Sequence, residues 1–217
     1  LDAIFAESDL GSTLTVLALD TELTRGSVRI GSVLYDPGDA FDYLKEGEIG
    51  IEQFGITVQD EFGQTGQGVF SFQIEGVNDA PVAVANTNEV PENGAIDLAA
   101  ASSVLIDDAD VEGDALTVSA IRTGNVAATD GAQGEIGSTL TGAYGVLTLN
   151  ADGQYSYATT ASAVDGLAAG ATAVDVFTYT VTDGALSASA ELLITVTGVN
   201  DAPVAVANTN EVPENGA

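Results

Sequence analysis

GVNDAPVAVANTNEVPENGA occupies residues 76–95 and returns, letter for letter, at 198–217. The two copies are offset by 122 residues. Identity over such a length marks a tandem array, in which each period is one structural unit. One complete unit, 80–201, lies between the copies. A partial unit, 1–79, precedes it without a first strand of its own, and 202–217 reads as the first strand of a following repeat. The absence of Met and a start inside an apolar run (Leu1, Ile4, Phe5) point to a piece of a longer chain.

Outward from the repeat, the sequence alternates with period two. In the first unit the runs are LTVLAL (14–19), VRI (28–30), VLY (33–35), FGITV (54–58) and VFSFQI (69–74). In the second they are LTVSAI (116–121), VLTL (146–149), QYSY (154–157), VFTYTV (176–181) and 190–196. β-Branched and aromatic residues at every second position, with turn residues such as Asp36-Pro37-Gly38 and Asn150–Gly153 between them, predict half-buried strands. Asp152 reads as a residue of a hairpin turn. The units align through FGITVQD (54–60) and FTYTVTD (177–183), and Glu7-Ser8-Asp9 matches Asp108-Ala109-Asp110. The Gly-rich segment 123–145 has no counterpart in the first unit and is expected to be a mobile insertion. Two Ala-rich stretches compete as helices: 96–104 reads better as a strand, and Gly166 and Gly170 interrupt 162–172. The expected fold is all-β, with tandem antiparallel Ig-like β-sandwiches joined end to end.

Charge narrows the function. There are 33 acidic and 4 basic residues, a net charge of −29. The four cations (Arg25, Arg29, Lys45, Arg122) form no cluster, which argues against nucleic acid, and an anionic bilayer would repel the chain. At 45% hydrophobic residues the chain is too apolar to be disordered. With no Cys there is neither a disulfide framework nor a thiolate metal site. No apolar run is long enough for a transmembrane helix. With no His, no Cys and no G-x-S-x-G elbow, the chain is not expected to be an enzyme. Its carboxylates cluster in loops with Gly and Asn, as cation sites do, rather than flanking a sugar-binding cleft.

The densest cluster is IDDADVEGD, 106–114, where five of nine residues are acidic. Asp108, Asp110 and Asp114 fall on even spacing, and in an extended loop even spacing places side chains on one side. Carboxylates converging on one point repel unless a cation sits there, and Ca²⁺ takes six to eight oxygen ligands. A solvated acidic loop is the plainer alternative. No EF-hand loop is present.

VPEN (90–93), the DAD of 108–110, TVTDG (180–184) and VNDAP (199–203) follow one another in an order that resembles the cadherin calcium pattern. With LTLNADGQYSY (147–157) and FTYTVTDG (177–184), the closest resemblance is to the bacterial cadherin-like or VCBS repeat of repeats-in-toxin adhesins. It covers 80–217 and, more loosely, 7–79. The resemblance implies a cadherin-like sandwich with calcium between successive domains. One ligand set would take Asn78 and Asp79 from the linker, Asp108, Asp110 and Asp114 from one loop, and Asp183 from another at the same end. Glu46, Glu48 and Glu52 would complete it from the lower end of the first unit. At the next junction Glu92, Asp165 and Asp175 would pair with Asn200 and Asp201. Two departures stand out: the second unit has no Asp-Arg-Glu tripeptide, and Ser12 stands where Asp114 has its counterpart. The implied function is a calcium-stiffened extender of a secreted, cell-surface adhesin, its partners being neighbouring repeats of the same chain. Recognition of carbohydrate or protein through 123–145 or a tyrosine face is the rival, although Tyr155, Tyr157 and Tyr179 read first as core residues. Because 203–217 duplicates the strand that the first unit lacks, strand exchange between copies is a further expectation.

Overall fold

The computed structural model describes residues 13–22, 24–29, 34–97, 103–203 and 205–209. It divides into two compact units. The first takes in Leu1–Ala83, Asp108–Thr117 and Val181–Ala188; the second takes in Val84–Asp107, Val118–Thr180 and Ser189–Ala217.

The first unit carries β1 (Thr15–Asp20), β2 (Ser27–Arg29), β3 (Leu34–Asp36), β4 (Ile49–Gln59) and β5 (Thr65–Glu75). Its main sheet has the order β1-β4-β5, and β2 and β3 form a separate hairpin. β4 and β5 pair antiparallel over their full length, from Ile49↔Glu75 to Gln59↔Thr65. Period two does the sorting: Phe54, Ile56 and Val58 are buried, while the intervening residues are more open to solvent. Phe54, Phe70 and Phe72 form one aromatic cluster, with Phe54 stacked on Phe70 at 5.2 Å between centroids.

The elements of the complete repeat are β6 (Asn86–Pro91), β7 (Ala95–Ile96), β8 (Thr117–Thr123), β9 (Gln133–Gly134), β10 (Thr139–Thr141), β11 (Gly145–Leu149), β12 (Tyr155–Thr159), β13 (Thr172–Thr182) and β14 (Ser187–Thr197). A single helical turn, α1 (Ala161–Val164), precedes β13. Two sheets, β10-β11-β12-β7 and β6-β14-β13-β8-β9, make the sandwich. Leu147, Phe177, Tyr179, Val181, Leu192, Ile194 and Val196 fill it at 0% exposure.

The all-β expectation holds, with two corrections. β6 runs parallel to β14, from Leu192↔Asn86 to Thr197↔Pro91, so the sandwich is not wholly antiparallel. Side-chain alternation fixes faces but is silent about direction. The segment 123–145 also supplies β9, paired with β8, and β10, paired with β11, rather than a free insertion. Its glycines permit close packing. The 96–104 stretch begins in β7, but 98–102 lie outside the described residues. The Asn150–Gly153 turn is as expected: Gly153 N donates to Asn150 O at 3.0 Å, with Gly153 at φ 78°. One positive φ, at the glycine, fits a type I turn with a bulge.

The repeat recurs in backbone hydrogen bonds. Gly47 N donates to Gly76 O at 3.0 Å, and Gly170 N donates to Gly198 O at 2.9 Å. Gly76 N reaches Glu48 O, and Gly198 N reaches Ala171 O, both at 2.8 Å. A Cβ at Gly145 would lie 2.4 Å from the Tyr157 ring and 2.5 Å from Ala158 O. Gly145→Ala is therefore expected to cost about 2 kcal/mol by overpacking, read as a lower urea midpoint with unchanged slope.

Candidate metal centre

The linker after β5 is pinned to two loops within the first unit. Val82 and Ala109 exchange backbone hydrogen bonds, Val82 N to Ala109 O at 2.7 Å and Ala109 N to Val82 O at 3.1 Å. Three residues back, Asp79 N donates to Glu112 Oε1 at 2.7 Å. Asn78 Nδ2 donates to Asp183 Oδ2 at 3.0 Å and to Asp79 O at 2.9 Å.

Inside the acidic loop the chain is not extended. Gly113 N donates to Asp110 O, and Gly113 takes φ 74°. Asp110 Oδ1 accepts from Glu112 N at 3.1 Å and Asp114 N at 3.0 Å. The even-spacing expectation fails from Asp110 onward, because a short aspartate closes its own turn more readily than it leaves it open. Asp114 turns aside to pair with Lys45 Nζ. Asp183 is engaged too: its Oδ1 accepts from Ala185 N and Leu186 N at 2.6 and 2.7 Å. Asn78, followed by those two amides, holds the Asp183 carboxyl below the usual aspartate range.

The electrostatic demand rests on two oxygens. Asp110 Oδ2 and Glu112 Oε2 are buried without a hydrogen-bond partner. Glu112 as a whole is 8% exposed. A buried carboxylate oxygen without a donor is costly, and a cation is the simplest remedy. Asp108 is half-buried two residues before Asp110. Among the described residues no three acidic side chains converge into a finished cage. The sequence reading passes over Glu112, though it shares the even spacing of Asp110 and Asp114.

A family model for the bacterial cadherin-like domain matches residues 78–198. The chain belongs to the bacterial cadherin-like family. No curated protein matches it. Among solved structures, Drosophila N-cadherin EC1-3 is 16% identical, with 88% of this chain and 57% of that one covered, at a TM-score of 0.36. Protocadherin gammaB7 EC3-6 is 13% identical over 85% of this chain and 41% of that one, at 0.38. The endo-fucoidan hydrolase MfFcnA4 of glycoside hydrolase family 107 is 20% identical over 86% and 24%, at 0.27. The chain thus spans from about a quarter to under three-fifths of the length of these structures.

In the complete cadherin-like domain Glu92 is 3% exposed. Its Oε2 accepts from Val199 N at 2.8 Å, whereas Oε1 is buried without a partner. Asn200 and Asp201 are exposed, and Asn200 Nδ2 donates to Asp201 O at 3.2 Å, as Asn78 does to Asp79. Asp165 is exposed, as are Glu46 and Glu48. Glu48 Oε2 accepts from Lys45 N.

Glu52 and Asp175 do different work. Each is the fourth residue of its eleven-residue strand, facing inward at 2% exposure. Asp175 accepts from Ala143 N at 2.6 Å, from Tyr144 N at 3.0 Å and from Tyr157 Oη at 2.6 Å. Glu52 accepts from Arg25 N and Tyr35 Oη, both at 3.0 Å, from Gln53 N at 2.9 Å and from Gly26 N at 3.5 Å. These carboxylates are internal acceptors, so they are left out of the metal set. An acid on an otherwise apolar register (Asp175, Phe177, Tyr179, Val181) is the signal that marks them.

Burial pushes the Glu52 carboxyl up, but its hydrogen bonds together outweigh it and leave the pKa below the ordinary glutamate value. Burial and the Glu52 carboxylate push Tyr35 up to about 12. Because the unfolded chain holds the Glu52 proton more tightly, the contribution is present above pH about 4.3 and is lost as pH falls through the lower folded value. Glu52→Gln should therefore flatten the acid limb of the stability–pH profile, measured by urea midpoints between neutral and strongly acidic pH. Asp175→Ala, which strands three donors, should cost about 3 kcal/mol at neutral pH.

Proposed function

We propose that this chain is a calcium-rigidified spacer segment of a bacterial surface adhesin, with a structural rather than catalytic role. The observation that carries it is the pair of buried, unpartnered oxygens, Asp110 Oδ2 and Glu112 Oε2, beside a linker already tied to their loop. Cadherin-like domains generally bind calcium. Asp110 and Glu112 would hold the ion, with Asp108 and Asp79 within the same segment pair, and Glu92 with Asn200 and Asp201 would begin the equivalent set after the second domain. A bound ion supplies the positive charge that these oxygens lack. Part of the repulsion within a chain of net charge −29 is then relieved where the linker meets the loop, and the joints between successive repeats stiffen. The VPEN, DAD, TVTDG and VNDAP motifs support a VCBS-type repeat of a repeats-in-toxin adhesin, secreted to the cell surface, with neighbouring repeats as its partners. A tyrosine platform for sugars gains no support, since Tyr155, Tyr157 and Tyr179 are at most 3% exposed.

Small-angle scattering and thermal unfolding in calcium and in chelator test the proposal. Calcium at about 100 times its Kd should add about 2.7 kcal/mol and raise the thermal midpoint by several degrees. The scattering envelope should narrow toward a single maximum dimension. Asp110→Asn with Glu112→Gln should remove most of the response while the chain stays folded. An unchanged midpoint and dimension in the unaltered chain would sink the idea.

A further inference from the structure

Lys45 is the only lysine in the chain, one of 4 cations against 33 acids. Its ammonium donates to Asp114 Oδ1 at the end of the acidic loop. The pair lies at the surface, with side chains 45% and 30% exposed. The Asp114 hydrogen bond, helped by the charges of Asp114, Glu48 and Asp110, outweighs desolvation and raises the ammonium above the ordinary lysine value. Lys45 thus sits in the field of the same Asp110 whose Oδ2 is buried without a donor, yet it donates to neither that oxygen nor Glu112 Oε2. The backbone beneath it is fixed. Lys45 N donates to Glu48 Oε2 at 3.1 Å, and Glu48 N donates back to Lys45 O at 2.9 Å. A Cβ at Gly76 would lie 2.4 Å from Lys45 O, so this turn presses on the linker three residues ahead of Asp79. The complete repeat builds the same turn without the lysine. Gly170 N reaches Gly198 O as Gly47 N reaches Gly76 O, and a Cβ at Gly198 would lie 2.5 Å from Ala168 O. Ala168 of LAAG (167–170) therefore stands where Lys45 stands in LKEG (44–47). The turn needs no long side chain at this position, so the charge of Lys45 serves the loop.

We propose that Lys45 is a tethered counter-ion that competes with calcium for the acidic loop and so sets the calcium concentration at which the loop is occupied. This rests on calcium occupying the site proposed above. Without the ion, the ammonium neutralises Asp114 and keeps it turned aside. A divalent cation on Asp110 Oδ2 and Glu112 Oε2 repels the ammonium, which swings into water on its flexible four-carbon stem. Asp114 is then released toward the ion. Calcium binds the form in which the ammonium is detached, so its apparent affinity falls by the fraction of molecules in that form. An exposed ion pair is weak, which puts the effect at about three- to fivefold.

Calcium titration of the full chain, in competition with a chromophoric chelator, is the measurement. Lys45→Met, which keeps the stem, should bind calcium about three- to fivefold more tightly than the unaltered chain. Lys45→Ala, the residue that the complete repeat carries here, should do the same, and Lys45→Arg should restore the original affinity. Arg29→Met removes an exposed cation from β2, changes the net charge equally, and should leave the affinity unchanged. The gain should vanish when Asp110→Asn and Glu112→Gln are also present, which assigns it to this loop. Urea midpoints in chelator should differ little among these chains, because an exposed pair holds the ion-free fold only weakly. Equal affinities for the unaltered chain and both uncharged Lys45 variants overturn the competition and leave calcium binding intact. An equal gain in Arg29→Met, or a gain that survives Asp110→Asn with Glu112→Gln, also overturns it. Calcium binding by none of the chains overturns the competition and the calcium site together.

Discussion

A buried carboxylate joins the two sheets of each unit, and the surrounding core is arranged about it. Asp175 lies on β13 in one sheet and takes the hydroxyl of Tyr157 from β12 in the other. Glu52 on β4 takes the hydroxyl of Tyr35 from β3 in the same way. A charge placed among Phe177, Tyr179 and Val181 would be ruinous without donors, and the donors come from backbone that must therefore approach closely. That requirement explains local glycines: a Cβ at Gly142 would stand 2.6 Å from Asp175 Oδ2. The directional bonds fix how one sheet sits on the other, which apolar packing alone leaves softer.

Strand existence was legible in the sequence because apolar residues alternate, as in VFTYTV, and because turn residues bound each run. Strand direction was not, and β6 shows why. NTNEVP carries one strongly apolar inward residue, Val90, and nothing in its alternation says whether it runs with β14 or against it. The segment 123–145 looked loose through its glycines, whereas β9 and β10 use that small size to lie close to their neighbours. Gly134, for instance, has room for a Cβ only 3.0 Å from Ile121.

The candidate site was legible in composition and only partly in geometry. The linker meets the acidic loop through Asp79 N and Glu112, while Asp114 pairs with Lys45. A spacing rule for extended chain cannot anticipate a turn that Asp110 makes with its own backbone. Asp175 and Glu52 show the opposite difficulty. Their acidity suggested metal, while their register, inward and flanked by aromatics, indicated burial. Register was the better guide because a buried acid surrounded by amide and hydroxyl donors is already satisfied.

The latch also sets where a repeat can change its length. Its donors come from the residues just ahead of a hairpin, Arg25 and Gly26 in one unit, Ala143 and Tyr144 in the other. What lies upstream of those residues differs between the units by an entire Gly-rich segment, yet the carboxylate, the tyrosine and the hairpin meet in the same way. The clamp works as a fixed seam, while the stretch before it varies: in the complete repeat it supplies β9 to one sheet and β10 to the other. Repeats of different length can therefore share one seam.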